Sequence, residues 1–431
     1  MPGSRTDGLR RIIQRALPDR PFTIKLWDGS SVPSTRRGPT LTVRSPRAIG
    51  HLLRAPGELG LGRAYVGGEI DVDDLDGAIA LLGRWHRPPL SLPQRLRFGA
   101  AALRAAGLNR RPQPPAAELR PRGRRHTKRR DAQAVRHHYD VSNEFFALFL
   151  DETMTYSCAL FEPGTQTLED AQRAKLELIC RKLELKPGQR MLDIGCGWGS
   201  LAIHAAREHG ASVWGITLSE PQAELAMRLA REAGVDGQVE FRVMDYRDLR
   251  EERFDAIASI GMVEHVGEAQ IDEYARQIAQ VLEPGGRVLN HGIVAVPPQE
   301  GGAQIGGEVS NRYVFPDGEL LNLSRMMLAF ERAGFEALNV ENLHTDYAET
   351  LRHWATRFEQ HLDQAERLAG SERLRVWRLY LRAARNSFET GQNAVYQLLC
   401  SRPLTEGSSS APTGARHEPA RRRVPPEHVP A

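Results

Sequence analysis

The stretch Met191–Ser200, MLDIGCGWGS, restricts the possible folds of this chain more than any other. A short apolar run, Met191-Leu192, meets an acid at Asp193. Glycines follow at Gly195, Gly197 and Gly199, and a helical pattern opens with Leu201-Ala202-Ile203. The pattern predicts a strand, a tight loop and a helix. Glycine has no Cβ, so a ligand can approach its backbone closely and positive φ is allowed. The helix start adds unpaired N–H donors and the positive end of a dipole. The spacing is G-x-G-x-G, not the G-x-G-x-x-G of dinucleotide folds. It favours S-adenosylmethionine, with the methionine carboxylate meeting the loop. From this stretch alone, a plain glycine-rich turn remains the alternative.

The downstream pattern extends the prediction. Strands are expected at Ser212–Thr217, Val239–Val243, Phe254–Ser259 and Arg287–Gly292. Helical patterns at Pro221–Ala233 and Ile271–Leu282 separate them, and an amphipathic helix at Thr167–Leu185 precedes the set. Alternating strands and helices specify a parallel sheet covered on both faces, an α/β Rossmann-like architecture. Ligands in such sheets sit at the carboxyl ends of the strands. The loops at Gly195, Thr217, Asp245, Glu264 and His291 all fall at that edge. Beyond Val296 the order breaks into an insert at Pro297–Asn311. Helices follow at Leu351–Leu368 and Arg373–Glu389, and a last strand at Ala394–Cys400.

The chain has 431 residues, enough for two domains. Residues 1–110 read as a small α+β domain, with a first helix, a strand at Phe22–Trp27 paired with Leu41–Arg44, and helix at Pro46–Ala55. Residues 111–130 read as a basic linker, 131–402 as the catalytic domain and 403–431 as a disordered tail. The formal charge is +4, but nine cations lie between Arg110 and Arg130, opposed there only by Glu118. That run is either a solvated linker or an attractor of anionic phosphates. It has no interleaved aromatics, so no nucleic-acid partner is expected. The cysteines, Cys158, Cys180, Cys196 and Cys400, show neither C-x-x-C nor Cys/His zinc spacing. A reduced, cytoplasmic protein without a metal is expected. There is no apolar signal segment and no run of membrane-spanning length, so any action on lipid would be peripheral, at the inner face of the cell membrane.

Many nucleotide-binding sheets close strand two with an acid that grips the ribose. Here the position reads Gly215-Ile216-Thr217-Leu218-Ser219, and the first acid, Glu220, lies inside the next helix. Thr217 and Gln222 can take its place. Ser219 reads equally well as a helix cap. Asp245 suits an adenine amine, or is a turn residue. Glu264-His265 after strand four can supply a base and its orienter, or simply start a helix. His291 is a similar signal, although a lone histidine is more often a core residue.

Taken together, HHYDVSNEFFALFLDETMTYSCALF, LDIGCGWGSLA, GITLSEPQ, MVEHVG, LNHGI and YVFPDGEL, in that order, resemble the cyclopropane-fatty-acyl-phospholipid synthases and mycolic acid cyclopropane synthases. The resemblance covers about Asp131 to Arg402, and Gly60–Leu82 resembles the extra N-terminal domain of the bacterial phospholipid enzymes. It implies a class I methyltransferase sheet with helical lipid-binding additions. The implied reaction is methylene transfer from S-adenosylmethionine to a cis double bond of a phospholipid acyl chain, with a bound bicarbonate ion as base. For that ion it implies a cradle of the Cys158 and Ile293 backbones with Glu264, His291 and Tyr347. For the cofactor it implies Tyr139, Tyr156, Ser157, Asp193, Gly195, Gly197, Gly199, Thr217, Leu218, Ser219, Gln222, Asp245 and Tyr246. Phe315 and Pro316 match a segment near the acyl pocket. One departure stands out: Ala384 occupies the place of a cysteine found in several relatives. A methyl- or methylene-branching enzyme, with a reductase partner, is the first alternative, then a small-molecule N-methyltransferase, and last a lipid-surface protein without catalysis. The expected partner is the acyl chain of a phospholipid at the membrane surface. A homodimer is left open.

Overall fold

The computed structural model describes residues 6–85, 89, 91–107, 111–119, 127–131, 141–165, 167–297 and 307–404. The first strands are short. β1 (Thr23–Lys25) pairs antiparallel with β2 (Ser31–Val32) and parallel with β3 (Thr40–Val43), and β3 pairs antiparallel with β4 (Ile70–Val72). Around them lie α1 (Asp7–Ala16), α2 (Arg47–Arg54), α3 (Glu58–Val66), α4 (Leu75–Arg84) and α5 (Leu92–Ala106). Helix α5 packs its Ala101, Ala102, Ala105 and Ala106 face inward. Residues 111–119 are not a solvated span. Glu118 is buried in a two-pronged pair with Arg63, 2.6 Å on each prong, and Leu119 donates its N–H to the Arg312 carbonyl.

The second sheet has seven strands in the order β10-β11-β9-β8-β5-β6-β7. They are β5 (Arg190–Ile194), β6 (Ser212–Thr217), β7 (Val239–Val243), β8 (Phe254–Ile260), β9 (Leu282–Ala295), β10 (Glu336–Asn342) and β11 (Asn393–Ser401). Strands β5 to β9 run parallel, and β11 is antiparallel to both β9 and β10. The sheet is therefore mostly parallel, as the alternation predicted. Strand β9 begins earlier than the expected Arg287 and takes in Glu283–Gly286, with Gly285 at φ 82°.

Among the described residues, the helices of this half include α6 (Asn143–Ala147), α7 (Leu168–Leu183), α8 (Ser200–His209), α9 (Glu220–Glu232), α10 (Val263–Val266), α11 (Ile271–Val281), α12 (Gly307–Tyr313), α13 (Leu323–Arg332), α14 (His344–Gln360) and α15 (Leu362–Glu389). Two apolar clusters cover the sheet, one gathering Ile271, Tyr274 and Ile278 and the other Leu176, Ile179 and Ala205. A third, rich in aromatics, packs Phe145, Phe146 and Phe149 against Trp354, Phe358 and Trp377. The two C-terminal helices meet at His361, earlier than expected. The break expected near residues 369–372 survives as a kink at Gly370, where φ is 79°.

Helix α15 ties the two sheets together. Arg375 donates to the carbonyls of Tyr65 and Ile70, 2.5 Å each, and pairs with Asp71. Arg382 and Arg385 both reach Asp76. Among the described residues all four cysteines are free and buried, and no helix is long and apolar enough to cross a membrane.

Candidate active site

Strand β5 lies between β6 and β8, which turn away from it on opposite sides. At that switch point the carboxyl ends of the strands part and leave a crevice. Asp193, Gly195, Cys196, Gly197, Trp198, Thr217, Leu218, Gln222, Asp245 and Tyr246 line it, as do Tyr156 and Ser157 from the loop after α6. Gly195 adopts φ 77°, and a Cβ there would sit 2.4 Å from Met262 Cγ, so the turn accepts only glycine.

Two residues expected at the cofactor lie outside this wall. Gly199 stands at the helix start, where a Cβ would meet the Phe241 ring at 2.5 Å. It is a packing glycine. The Ser219 hydroxyl caps α9 by accepting from the Gln222 N–H. Tyr139 lies outside the described residues. Thr217 donates to Gln222 Oε1 at 2.7 Å, so the two act as one unit. Asp245 accepts from the Arg247 main chain and guanidinium, and that guanidinium also reaches Asp131. Asp245 is thus held in place as well as facing the crevice.

Lys175 was missed by the sequence reading. It is fully buried, and its Nζ donates to the Ser157 hydroxyl at 2.8 Å. Burial holds its pKa down at about 8, and nearby carboxylates oppose the shift. Across the crevice Asp193 is pushed up to about 7 by burial, partly offset by Lys175, and its Oδ2 has no hydrogen-bond partner. The available signal was a lysine and a glutamine, Gln172, interrupting the otherwise apolar stripe of α7. Gln172 donates to the carbonyls of Thr155 and Ser157 and so fixes the same loop.

A second cavity, about 660 Å³, adjoins the crevice and shares Tyr156, Ser157, Gly261 and His265 with it. One wall carries Cys158, Glu264, His291, Ile293, Tyr347, Phe315, Tyr380 and Ala384. The facing wall comes from the N-terminal sheet and its helices, through Leu41, Leu61, Tyr65, Val72, Ile79 and Leu82. Pro316 lines the cofactor crevice instead.

The five residues expected at the base all line this cavity but have unlike surroundings. Glu264 Oε1 accepts the Ile293 N–H at 2.7 Å. Ile293 is therefore spent on Glu264 rather than presented to an ion, because a buried carboxylate needs the donor. Glu264 Oε2 has no partner, and burial raises the Glu264 pKa to about 7. Gln397 donates Nε2 to His291 Nδ1 at 3.3 Å, and Lys182 fixes the amide by bonding its Oε1. Nε2 of His291 thus carries the ring proton, and it too is buried without a partner. Burial, then Lys175 and Lys182, lowers the His291 pKa to about 3, so the ring is neutral. The Cys158 thiol lies 3.2 and 3.6 Å from the carbonyls of Ala159 and Leu343, and burial keeps it protonated. Tyr347 packs on Phe388 with ring centroids 4.7 Å apart.

Two unsatisfied polar groups facing an apolar cavity call for a small polar occupant. A protonated Glu264 and the His291 N–H are both donors, a pair that suits an oxyanion.

Residues 126–398 match the family model of mycolic acid cyclopropane synthetase. The chain belongs to that family. A probable fatty acid methyltransferase of Pseudomonas putida is 39% identical over 399 residues, covering 91% of this chain and 94% of that protein. The cyclopropane-fatty-acyl-phospholipid synthase of Escherichia coli K12 is 33% identical over 374 residues, covering 85% and 89%. The solved structure of the mycolic acid cyclopropane synthase CmaA1, complexed with SAH and CTAB, superposes with a TM-score of 0.60 at 32% identity, covering 63% of this chain and 98% of that one. The chain is thus a class I S-adenosylmethionine-dependent methyltransferase, and the crevice above β5 lies where ligands sit in such sheets.

Proposed function

We propose that this member of the family acts on the cis double bond of a phospholipid acyl chain and forms a cyclopropane ring, with bicarbonate held as the base. One observation carries the reading. The unpartnered Glu264 Oε2 and His291 Nε2 are buried on the wall of a large apolar cavity that meets the cofactor crevice.

Bound S-adenosylmethionine supplies an electrophilic methyl on a sulfonium. The chain's residues supply the rest. The apolar walls hold the alkyl chain and exclude water, which would quench a carbocation. Tyr156 and Tyr380 line the cavity, and aromatic rings there would stabilise such a cation. A proton must leave as the ring closes, so a base must be positioned near the new methyl. Glu264, His291 and Tyr347, with the Cys158 main chain, would hold bicarbonate there, and that ion would supply the basic oxygen.

The substrate is membrane lipid, reached peripherally. Helix α5 turns Leu92, Leu96 and Leu103 outward, 70%, 66% and 48% exposed, at spacings that share one face. Arg95, Arg97 and Arg104 are exposed beside them, and the helix has no acid. Apolar side chains flanked by cations suit an anionic bilayer surface.

A methyl- or methylene-branching outcome on the same double bond is the second reading, favoured by the 39% identity to a probable fatty acid methyltransferase. The test is mass spectrometry of total lipid from a host expressing the chain, followed by NMR. A gain of about 14 mass units on monounsaturated chains, from an added CH₂, is expected. Upfield ring-methylene protons would establish the cyclopropane. A methylene branch at the same mass, or a saturated methyl branch about two units heavier from the hydrogens a reductase adds, would establish the second reading, and unchanged acyl chains would overturn both.

A further inference from the structure

The sequence shows no zinc-type spacing, yet the fold assembles a set of metal-type side chains away from the active site. Cys180 and Glu177 stand one turn apart on α7, and His204 and His209 lie on α8, which packs against it. Glu177 Oε2 is contacted by both rings, at 3.3 Å from His204 Nε2 and 2.9 Å from His209 Nε2. The ligating atoms of Cys180, His204 and His209 all lie within 4.8 Å of one another. Cys180 is fully buried, the His204 side chain is 7% exposed and that of His209 18%. The other Glu177 oxygen faces Arg181 at 3.7 Å.

We propose that Cys180, His204 and His209 bind a zinc-class divalent cation, and that Glu177, which contacts both imidazoles but lies outside the set whose ligand atoms are mutually within 4.8 Å, turns in to complete it. Tetrahedral zinc with nitrogen, oxygen and sulfur ligands places those atoms about 3.3–3.7 Å apart, as follows from its bond lengths. One carboxylate–imidazole separation, 3.3 Å, sits at the low end of that range and the other, 2.9 Å, lies below it. At present one oxygen accepts from two imidazole N–H groups. A cation at the centre takes the place of both protons and is ligated by the same nitrogens, each ring then carrying its proton on Nδ1. The Cys180 thiol gives its proton to solvent and binds as thiolate, giving a mixed sulfur, nitrogen and oxygen set suited to zinc rather than to magnesium or calcium. The Glu177 side chain, 39% exposed, marks the entry path. The site staples the distal ends of α7 and α8. The proximal end of α8 opens at the cofactor loop, and α7 carries Lys175 and Gln172, which position Ser157 and its neighbours.

The test is titration of the tag-free, chelator-treated full chain with Co²⁺, a spectroscopic stand-in for zinc. The expected result is one equivalent bound, with intense tetrahedral ligand-field bands, a thiolate-to-cobalt charge-transfer band, and displacement by Zn²⁺. Cys180→Ser should abolish the charge-transfer band, and His209→Gln should weaken binding at least tenfold. Because Cys180 is buried, its variant can fail to fold. His209 ends its helix and is part-exposed, so His209→Gln, checked by circular dichroism, then decides. Absence of the charge-transfer band in the unaltered chain, its survival in Cys180→Ser, or full affinity in His209→Gln would each overturn the proposal.

Discussion

Ile293 donates its main-chain N–H to Glu264 Oε1 at 2.7 Å, leaving Oε2 as the carboxylate oxygen without a partner. Glu264→Gln keeps a carbonyl for Ile293 and removes the ionisable oxygen. It should lower kcat by roughly 10²–10⁴-fold, because the amide can still donate to a held ion but cannot take on the proton that the ion removes, while the Kd for S-adenosylmethionine changes little. Equal losses in both would assign Glu264 a purely structural role. Stability gives an independent check. The folded-state pKa is raised from 4.5 to about 7, so the native state favours the protonated form. Its contribution to stability is complete below about pH 4.5 and is lost as pH rises through about 7. Glutamine cannot ionise. The variant should therefore melt above the unaltered chain at about pH 8, and the gap should shrink towards about pH 4.5.

Asp193 places an unpartnered oxygen on the crevice above β5. Asp193→Asn should raise the Kd for S-adenosylmethionine by about tenfold or more, about 1.4 kcal/mol per decade, because the carboxylate faces a cationic ligand. In the unaltered chain, affinity should rise with pH through about 7, where Asp193 ionises. Calorimetric titration across that range measures both effects. A pH-independent Kd would remove Asp193 from cofactor binding.

Leu61 is part of the N-terminal wall of the large cavity. Leu61→Trp should obstruct it, lowering kcat/KM about tenfold for long acyl chains, an effect of one to two methylenes' worth of misfit. Shorter chains should be less affected, and S-adenosylmethionine binding should not change. Equal loss for all chain lengths would mean the N-terminal wall does not contact the acyl tail.

Arg95, Arg97 and Arg104 border the exposed leucines of α5. Replacing all three by Gln should weaken binding to anionic vesicles by up to about 3 kcal/mol, about 1 kcal/mol for each cation near the surface. The loss should be largest at low salt. Unchanged co-sedimentation would move the membrane contact elsewhere, for instance to the basic run Arg110–Arg130.

The parallel half of the large sheet was legible because buried parallel strands are short apolar runs between helices. Ser212–Thr217 and Val239–Val243 were placed to the residue. Strand β10, EALNVEN, escaped notice because it is a largely polar edge strand, paired on one side only. Helix α13 before it was also missed. Cofactor glycines were legible as a group, but Gly199 could not be separated from Gly195 and Gly197. Its reason is the ring of Phe241, 42 residues downstream and adjacent only after folding. The N-terminal wall of the large cavity left no local signal at all, since its contacts join residues about 300 positions apart.

Helix α15 has a mechanical consequence. Its Tyr380 and Ala384 face the large cavity, while its arginines grip Tyr65, Ile70, Asp71 and Asp76 across the seam. Spreading the two halves to admit a lipid tail would unzip several charge-assisted bonds at once. On the proposed function, an acyl chain would therefore thread in lengthwise past these walls, and depth of insertion would act as a ruler that selects which carbon–carbon bond comes to rest beside the cofactor.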